Sequence, residues 1–169
     1  FFLFDGIRQA APVLKYVDAT PITAGCRMYK SPTELALMQI ANDIAIVAYK
    51  ATHDSMREGM TQGEFAGNCS AAFRALGTSG GIFVSFGKYT AFPHGSSTPQ
   101  RLREGDVVLM DGGCSVDGYQ SDITRTFVFG KATDRQRQIW DLERKAQDAG
   151  FAAAKVGAPC EAVDAAARK

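Results

Sequence analysis

The sequence predicts an α+β fold in which helices back an antiparallel sheet. Two helix-start motifs precede a run of strand-like segments, an Asp-Gly turn joins two of those segments, and a third helix-start motif follows them. With 169 residues, 46% of them hydrophobic, the chain is long enough to bury a core without disulfide bonds.

Composition argues against several classes of protein. The net charge of +1 does not indicate a nucleic-acid partner, and no apolar run approaches the ~20 residues that cross a membrane. The four cysteines are widely spaced without a Cys-x-x-Cys pair, so we expect reduced, mostly buried thiols. Because the first residues do not resemble a signal peptide, we expect a cytoplasmic protein.

Both ends of the sequence resemble cut points in a longer chain. Residues 1–4 and 15–18 are strand-like and residues 20–25 form a turn-rich connector, so we expect residues 1–26 to be the tail of an amino-terminal domain and a linker. A helix that begins near Pro159 has no capping residue before the sequence stops. We therefore expect a fragment of a longer protein.

Three capping boxes mark the helix starts, at residues 31–34, 61–64 and 133–136. The first helix is expected to bury a helix-spaced stripe of Leu37, Ile40, Ala41, Ile44, Val47 and Ala48. The second is expected to bury Phe65, Cys69, Ala72, Phe73 and Leu76, and the third Ile139, Leu142, Ala146 and Ala149. Gly59 and Gly77 are expected to end the first two helices.

The predicted strands cover residues 82–86, 107–110 and 119–129. The second is a continuous apolar run, which is typical of a buried strand. Asp117 and Gly118 form a typical two-residue hairpin turn before the third strand. The second and third strands are therefore expected to pair as one antiparallel ribbon.

This ribbon brings two acidic residues together. A two-residue turn places Asp111 opposite Thr124 and Gly113 opposite Asp122, and side chains two apart on a strand share a face. Asp111, Asp122 and Thr124 therefore point to one side. Neighbouring carboxylates beside apolar residues need a compensating cation, and two cations suit a hydrolytic site. Mn²⁺ is favoured, with Zn²⁺ and Co²⁺ as alternatives, whereas Cys114 is expected to face away.

Each of these residues also has a simpler interpretation. Both aspartates are alternatively ordinary hairpin residues, although aspartate is depleted inside strands. Thr124 either hydrogen-bonds a ligating carboxylate or is only a good strand former. Gly112 and Gly113 either permit the close approach of another group or mark a bulge. His94, in a Phe-Pro-His-Gly loop, either contacts the scissile group or is incidental.

The same residues carry a resemblance to a known family. The Leu-Met-Asp-Gly-Gly sequence at 109–113, with Gly-Tyr-Gln-Ser-Asp-Ile-Thr-Arg-Thr-Phe at 118–127, resembles the first metal-binding hairpin of the pita-bread metallopeptidases. That family includes Xaa-Pro aminopeptidase, Xaa-Pro dipeptidase and methionine aminopeptidase. Residues 30–34 are similar to the start of its catalytic domain, and His94 matches its substrate-contacting histidine. The resemblance covers residues 27–169.

The resemblance implies a pita-bread, creatinase/aminopeptidase-like fold, with residues 27–169 as the first half of the catalytic domain. Asp111 and Asp122 are then the first two of five ligands to two divalent metal ions, and one histidine and two glutamates complete the set beyond residue 169. A metal-bridging hydroxide would attack peptides whose second residue is proline, and His94 would contact the substrate and stabilise the tetrahedral intermediate. The resemblance also implies a homodimer, and the fragment alone is expected to bind metal weakly without turnover.

Three alternatives stay open within this resemblance. A creatinase-like amidinohydrolase lacks the bound metals, and the presence of Asp111 and Asp122 argues against it. A catalytically silent pita-bread module would bind a protein or peptide instead. Methionine aminopeptidase is disfavoured because Thr124, Arg125 and Thr126 fit the proline-specific enzymes better.

Overall fold

A computed structural model describes residues 2–169, which divide into two compact units at residues 37 and 38. The helices are α1 (Phe2–Ala10), α2 (Thr20–Met28), α3 (Pro32–Asp54), α4 (Gln62–Ala75), α5 (Asp134–Ala153) and α6 (Cys160–Ala167). The strands are β1 (Gly80–Phe86), β2 (Val107–Val116), β3 (Tyr119–Gln120) and β4 (Ile123–Val128). No helix within residues 2–169 is long and apolar enough to cross a membrane.

The first unit is helical where we expected strands. Residues 2–4 belong to α1 and residues 20–25 to α2, whereas residues 15–18 are irregular and Phe1 lies outside the described residues. The strand prediction was wrong because the apolar residues of α1 also recur at helical spacing, and a short apolar run cannot by itself separate the two periods. The domain boundary between residues 26 and 27 stays a prediction.

The second unit is built on a four-stranded antiparallel sheet. Strand β2 is central and pairs with β1 on one side and with β3 and β4 on the other. Helix α4 packs against β1, and Phe65 of α4 meets Phe86 of β1 edge to face, with ring centroids 6.0 Å apart. This arrangement confirms the predicted antiparallel sheet backed by helices.

The predicted helix starts are confirmed by their capping contacts. In the box before α4, the Glu64 backbone N–H donates to Thr61 Oγ1 over 3.2 Å, and the Thr61 N–H donates to the Glu64 carboxylate over 2.8 Å. The boxes before α3 and α5 form in the same way. Gly77, with φ of 81°, follows α4 as predicted, and the next N–H donates back to the Phe73 carbonyl.

The structure corrects the predicted face of α3. Ala41 and Ala48 of the predicted stripe are buried, but Ile40 and Val47 are 47% and 54% exposed. The buried face is completed by Ala45, Tyr49 and Thr52. Small side chains on this face let the helix backbone approach the sheet, so that the Cys114 thiol donates to the Ala41 carbonyl over 3.4 Å. The helix also ends at Asp54, five residues before the predicted Gly59.

The apolar face predicted for α5 is largely exposed. Ile139 and Leu142 are 46% and 61% exposed, and the one fully buried residue of α5 is Gly150. Gly150 lies against Val163 and Ala167 of α6, the helix that packs on α5. The prediction was wrong because apolar periodicity marks a face that could be buried without identifying a neighbour that buries it.

Candidate metal centre

The hairpin has the register that the sequence predicts. Val116 pairs with Tyr119 across the two-residue turn, and Asp111 pairs with Thr124 further along the ribbon. Asp117 adopts φ of 49°, a left-handed conformation that aspartate tolerates better than most residues. A turn of this length sets the register of the ribbon, so the predicted pairing of Asp111 with Thr124 is confirmed.

Asp111 and Thr124 are in direct contact on one face of the sheet. The Thr124 hydroxyl donates a short hydrogen bond to Oδ1 of Asp111. Met110, the neighbour of Asp111, is buried in the core on the opposite face, as the strand alternation requires. Thr124 thus orients the Asp111 carboxylate, whose second oxygen stays available to a ligand.

The prediction of one continuous strand over residues 119–129 was wrong. Ser121 and Asp122 separate β3 from β4, and the predicted pair of Gly113 and Asp122 is absent from the ladder. A Cβ atom at Gly113 would lie 2.1 Å from the Ser121 carbonyl oxygen, and one at Gly112 would lie 2.4 Å from the Gly81 carbonyl oxygen. The two glycines therefore permit close backbone approach, the first of their two predicted roles.

Tyr49 of α3 lies beneath the interrupted ribbon. Its hydroxyl donates to the Ile123 carbonyl over 2.8 Å, and its side chain is almost fully buried. Burial raises the pKa of Tyr49 above its usual range, and electrostatic interactions with Cys69, Asp111 and Asp122 raise this pKa further. One hydroxyl therefore lies within electrostatic reach of both aspartates of the ribbon.

The carboxylates of Asp111 and Asp122 are exposed to a ligand without a bound cationic side chain in the described part of the chain. Neither Asp111 nor Asp122 forms an ion pair within residues 2–169. Asp122 and Thr124 line a groove of about 610 Å³ that also contacts α3 and α5. Carboxylate oxygens are the donors that hard divalent cations prefer, so this pair fits such ions. The described residues contain no cluster of three or more acidic, histidine or cysteine side chains placed to hold a metal.

His94 lies in an exposed loop that packs on the sheet face of Asp111. The next residue, Gly95, sits against the Phe83 ring, and a Cβ atom at that glycine would lie 2.3 Å from a ring carbon. Phe83 of β1 pairs directly with Asp111 of β2, so the two residues project on the same side. Gly95, next to His94, therefore lies on the sheet face that carries Asp111.

Cys114 faces away from the carboxylates, as predicted. It is buried on the opposite face of β2 beside α3.

Tyr49 and Ser121 are residues of this site that were not predicted from the sequence. Tyr49 lies one residue after the expected stripe of α3, and its position in the helical repeat was the available signal. Ser121 offered no signal of periodicity, because its role depends on a local break in the strand.

The chain is similar in sequence to a known family of enzymes. The sequence profile of metallopeptidase family M24 matches residues 36–169. The chain is 34% identical over 155 residues to the Xaa-Pro dipeptidase of Lactobacillus helveticus, covering 89% of this chain and 42% of that protein. It is 35% identical over 130 residues to the Xaa-Pro aminopeptidase of Escherichia coli, covering 75% of this chain and 30% of that protein.

Comparison with solved structures also finds Xaa-Pro peptidases. The X-Pro aminopeptidase from Thermotoga maritima superposes with a TM-score of 0.85 at 27% identity, covering 99% of this chain and 49% of that one. Prolidase from Pyrococcus furiosus superposes with a TM-score of 0.81 at 30% identity, covering 88% of this chain and 45% of that one. The chain spans less than half the length of each of these four relatives.

Proposed function

Because the chain belongs to metallopeptidase family M24, we propose that its protein is an exopeptidase that hydrolyses Xaa-Pro peptide bonds with two divalent metal ions. The fold is the α+β fold of the pita-bread prolidases and aminopeptidases P. The observation that carries the metal proposal is the ribbon, which holds Asp111 and Thr124 in contact and places Asp122 two residues from that threonine.

Asp111 and Asp122 are proposed as metal ligands. When bound, the divalent ions would polarise the scissile carbonyl and lower the pKa of water toward neutrality, which makes a hydroxide nucleophile accessible. The Thr124 hydroxyl orients Asp111 through its hydrogen bond, and such outer contacts tune metal affinity. The two proposed ligands on this chain are carboxylates, and their oxygen donors support Mn²⁺ over metals that prefer thiolate ligands.

His94 is proposed to contact the substrate. What supports this role is the neighbouring Gly95, which lies against Phe83 on the face that carries Asp111. A histidine there can donate to the oxygen that develops charge as the carbonyl is attacked. The relatives named for Xaa-Pro substrates support a peptide with proline in its second position. A homodimer and a cytoplasmic location stay predictions.

The test is metal binding and substrate choice in the intact protein. We expect hydrolysis of a Xaa-Pro dipeptide or of a longer Xaa-Pro peptide, with little hydrolysis of a Met-Ala peptide. Asp122→Asn keeps the size of the side chain and removes its charge. We expect it to weaken Mn²⁺ binding, measured by calorimetry, by more than the roughly 10- to 100-fold that outer contacts cost, with a parallel loss of kcat.

Asp117→Asn is the matched control. Asp117 lies in the same hairpin, and asparagine tolerates its left-handed backbone equally well. This variant is expected to bind Mn²⁺ and turn over substrate like the wild-type protein. Preference for Met-Ala over Xaa-Pro peptides would contradict the substrate proposal. Metal binding without any hydrolysis would instead support a silent peptide-binding module.

A further inference from the structure

Ser121 occupies the interruption between β3 and β4 and is 6% exposed. Its backbone N–H donates to the Cys114 carbonyl over 3.0 Å, as a regular antiparallel pair requires. The second hydrogen bond of the pair, from the Cys114 N–H, has a different acceptor. The Cys114 N–H donates over 3.0 Å to the Ser121 side-chain oxygen, Oγ, in the place that the Ser121 carbonyl occupies in a regular ladder.

The Ser121 carbonyl has turned toward Gly113. A Cβ atom built on Gly113 would lie 2.1 Å from the Ser121 carbonyl oxygen, so that oxygen occupies the space where other residues carry a side chain. The peptide that joins Ser121 to Asp122 is therefore rotated out of the ladder. Asp122 follows this peptide directly, and the direction of its carboxylate depends on the rotation.

We propose that Ser121 is a positioning residue, whose hydroxyl replaces its own carbonyl in the ladder and thereby holds Asp122 in its metal-binding direction. The inference rests on the proposed function, because it assumes that Asp122 is a ligand. A buried N–H group without an acceptor is unfavourable. Without the hydroxyl, the peptide is expected to rotate back so that the carbonyl accepts from Cys114, and Asp122 then turns away.

The experiment compares Ser121→Ala, Ser121→Thr and wild type in the intact protein. Calorimetry with Mn²⁺ is expected to show about 10- to 100-fold weaker binding in Ser121→Ala, as for other residues that orient metal ligands. Ser121→Thr retains the hydroxyl and is expected to bind within about threefold of wild type, in keeping with a hydroxyl-dependent effect. A crystal structure of metal-free Ser121→Ala should show the residue 121 carbonyl accepting from the Cys114 N–H.

Ser85→Ala is the matched control. Ser85 lies in β1 of the same sheet and is 1% exposed, and its hydroxyl has no hydrogen-bond partner among residues 2–169. The control therefore removes a buried serine hydroxyl that forms no hydrogen bond with the described residues. It is expected to bind Mn²⁺ like wild type, which separates a positioning role from a general loss of stability.

Two results would overturn the inference: Mn²⁺ binding by Ser121→Ala equal to wild type, or an unchanged peptide orientation in its crystal structure. Should Ser121→Ala fail to fold, Ser121→Cys replaces it under the same criteria, since a thiol is a poorer acceptor. Failure of the proposed function is distinguishable, because wild-type protein would then bind no Mn²⁺. The peptide orientation in the metal-free variant would still decide the role of Ser121 in turning Asp122.

Discussion

Glycine at position 113 is required by the space its neighbour occupies. The Ser121 carbonyl oxygen lies where a Cβ atom of residue 113 would be, at 2.1 Å. A backbone atom cannot move aside as the end of a flexible side chain can, so a larger residue there must displace the strand break. The carboxylate of Asp122, one residue from Ser121, would move with it.

Gly113→Ala is therefore expected to destabilise the fold by about 1–3 kcal/mol, as overpacking does elsewhere, and to weaken Mn²⁺ binding. Chemical denaturation measures the first effect and calorimetry the second. Gly67→Ala in α4 is the control, because a Cβ atom there meets nothing within 4 Å. That exposed helix position should gain roughly 0.5–1 kcal/mol from alanine. Equal stability of the two variants would contradict the steric argument.

The capping boxes show that contacts between residues three positions apart can define the start of a helix. Thr61 and Glu64 satisfy each other's backbone N–H groups at the start of α4 without help from any other element. The hydrogen bonds from the Thr61 backbone and side chain lower the pKa of Glu64 from its ordinary value of 4.5. The ionised form of Glu64 is thus favoured by the folded helix.

This pKa shift predicts a pH dependence of stability with a defined sign. The folded state releases the Glu64 proton more readily than the unfolded state, so the stabilisation is full above the unfolded pKa of 4.5. It is lost as pH falls through the lower, folded pKa. Glu64→Gln keeps an acceptor for the box and does not titrate. Urea unfolding across this window should give a shallower loss of stability for Glu64→Gln, and identical slopes would contradict the assignment.

The face that a helix buries was predicted less well than its start. Helix α3 begins at Pro32 as the motif predicts, and Ala41 and Ala48 are buried as expected. Ala45 and Tyr49 complete the buried face in place of Ile40 and Val47. Hydrophobicity alone favoured the larger side chains. Close approach of the helix to β2, with the Cys114 thiol bonded to the Ala41 carbonyl, requires the smaller ones.

The chain as a whole combines a buried core with apolar surfaces that stay exposed. The core of the second unit joins α3, α4 and the sheet, and its members include Ala45, Phe65, Phe73, Leu102 and Val108. Trp140 and Phe151 of α5 are exposed, as are Val13 and Val17 in the first unit. The expectation of mostly buried cysteines holds for Cys69 and Cys114, whereas Cys26 and Cys160 are exposed.

Thiol labelling reports this distribution directly. Iodoacetamide is expected to modify Cys26 and Cys160 in the folded protein and to reach Cys69 and Cys114 only after denaturation. Burial raises the pKa of the Cys69 thiol, which further suppresses its reactive thiolate form. Peptide mapping by mass spectrometry measures the labelling rates of the four cysteines. Labelling of Cys114 as fast as Cys160 in the folded state would contradict the burial of Cys114 in the core.

Local sequence was enough to predict the three capped helix starts, the hairpin turn and the pairing of Asp111 with Thr124. Each depends on residues a few positions apart or on the parity of a short ribbon. The fold was needed to establish which residues complete the buried face of α3, that Ile139 and Leu142 of α5 are exposed, and that the strand breaks before Asp122. These features depend on what lies opposite a residue in space: the α3 backbone near β2, the packing partners of α5, and the Ser121 carbonyl turned into the space that Gly113 leaves empty.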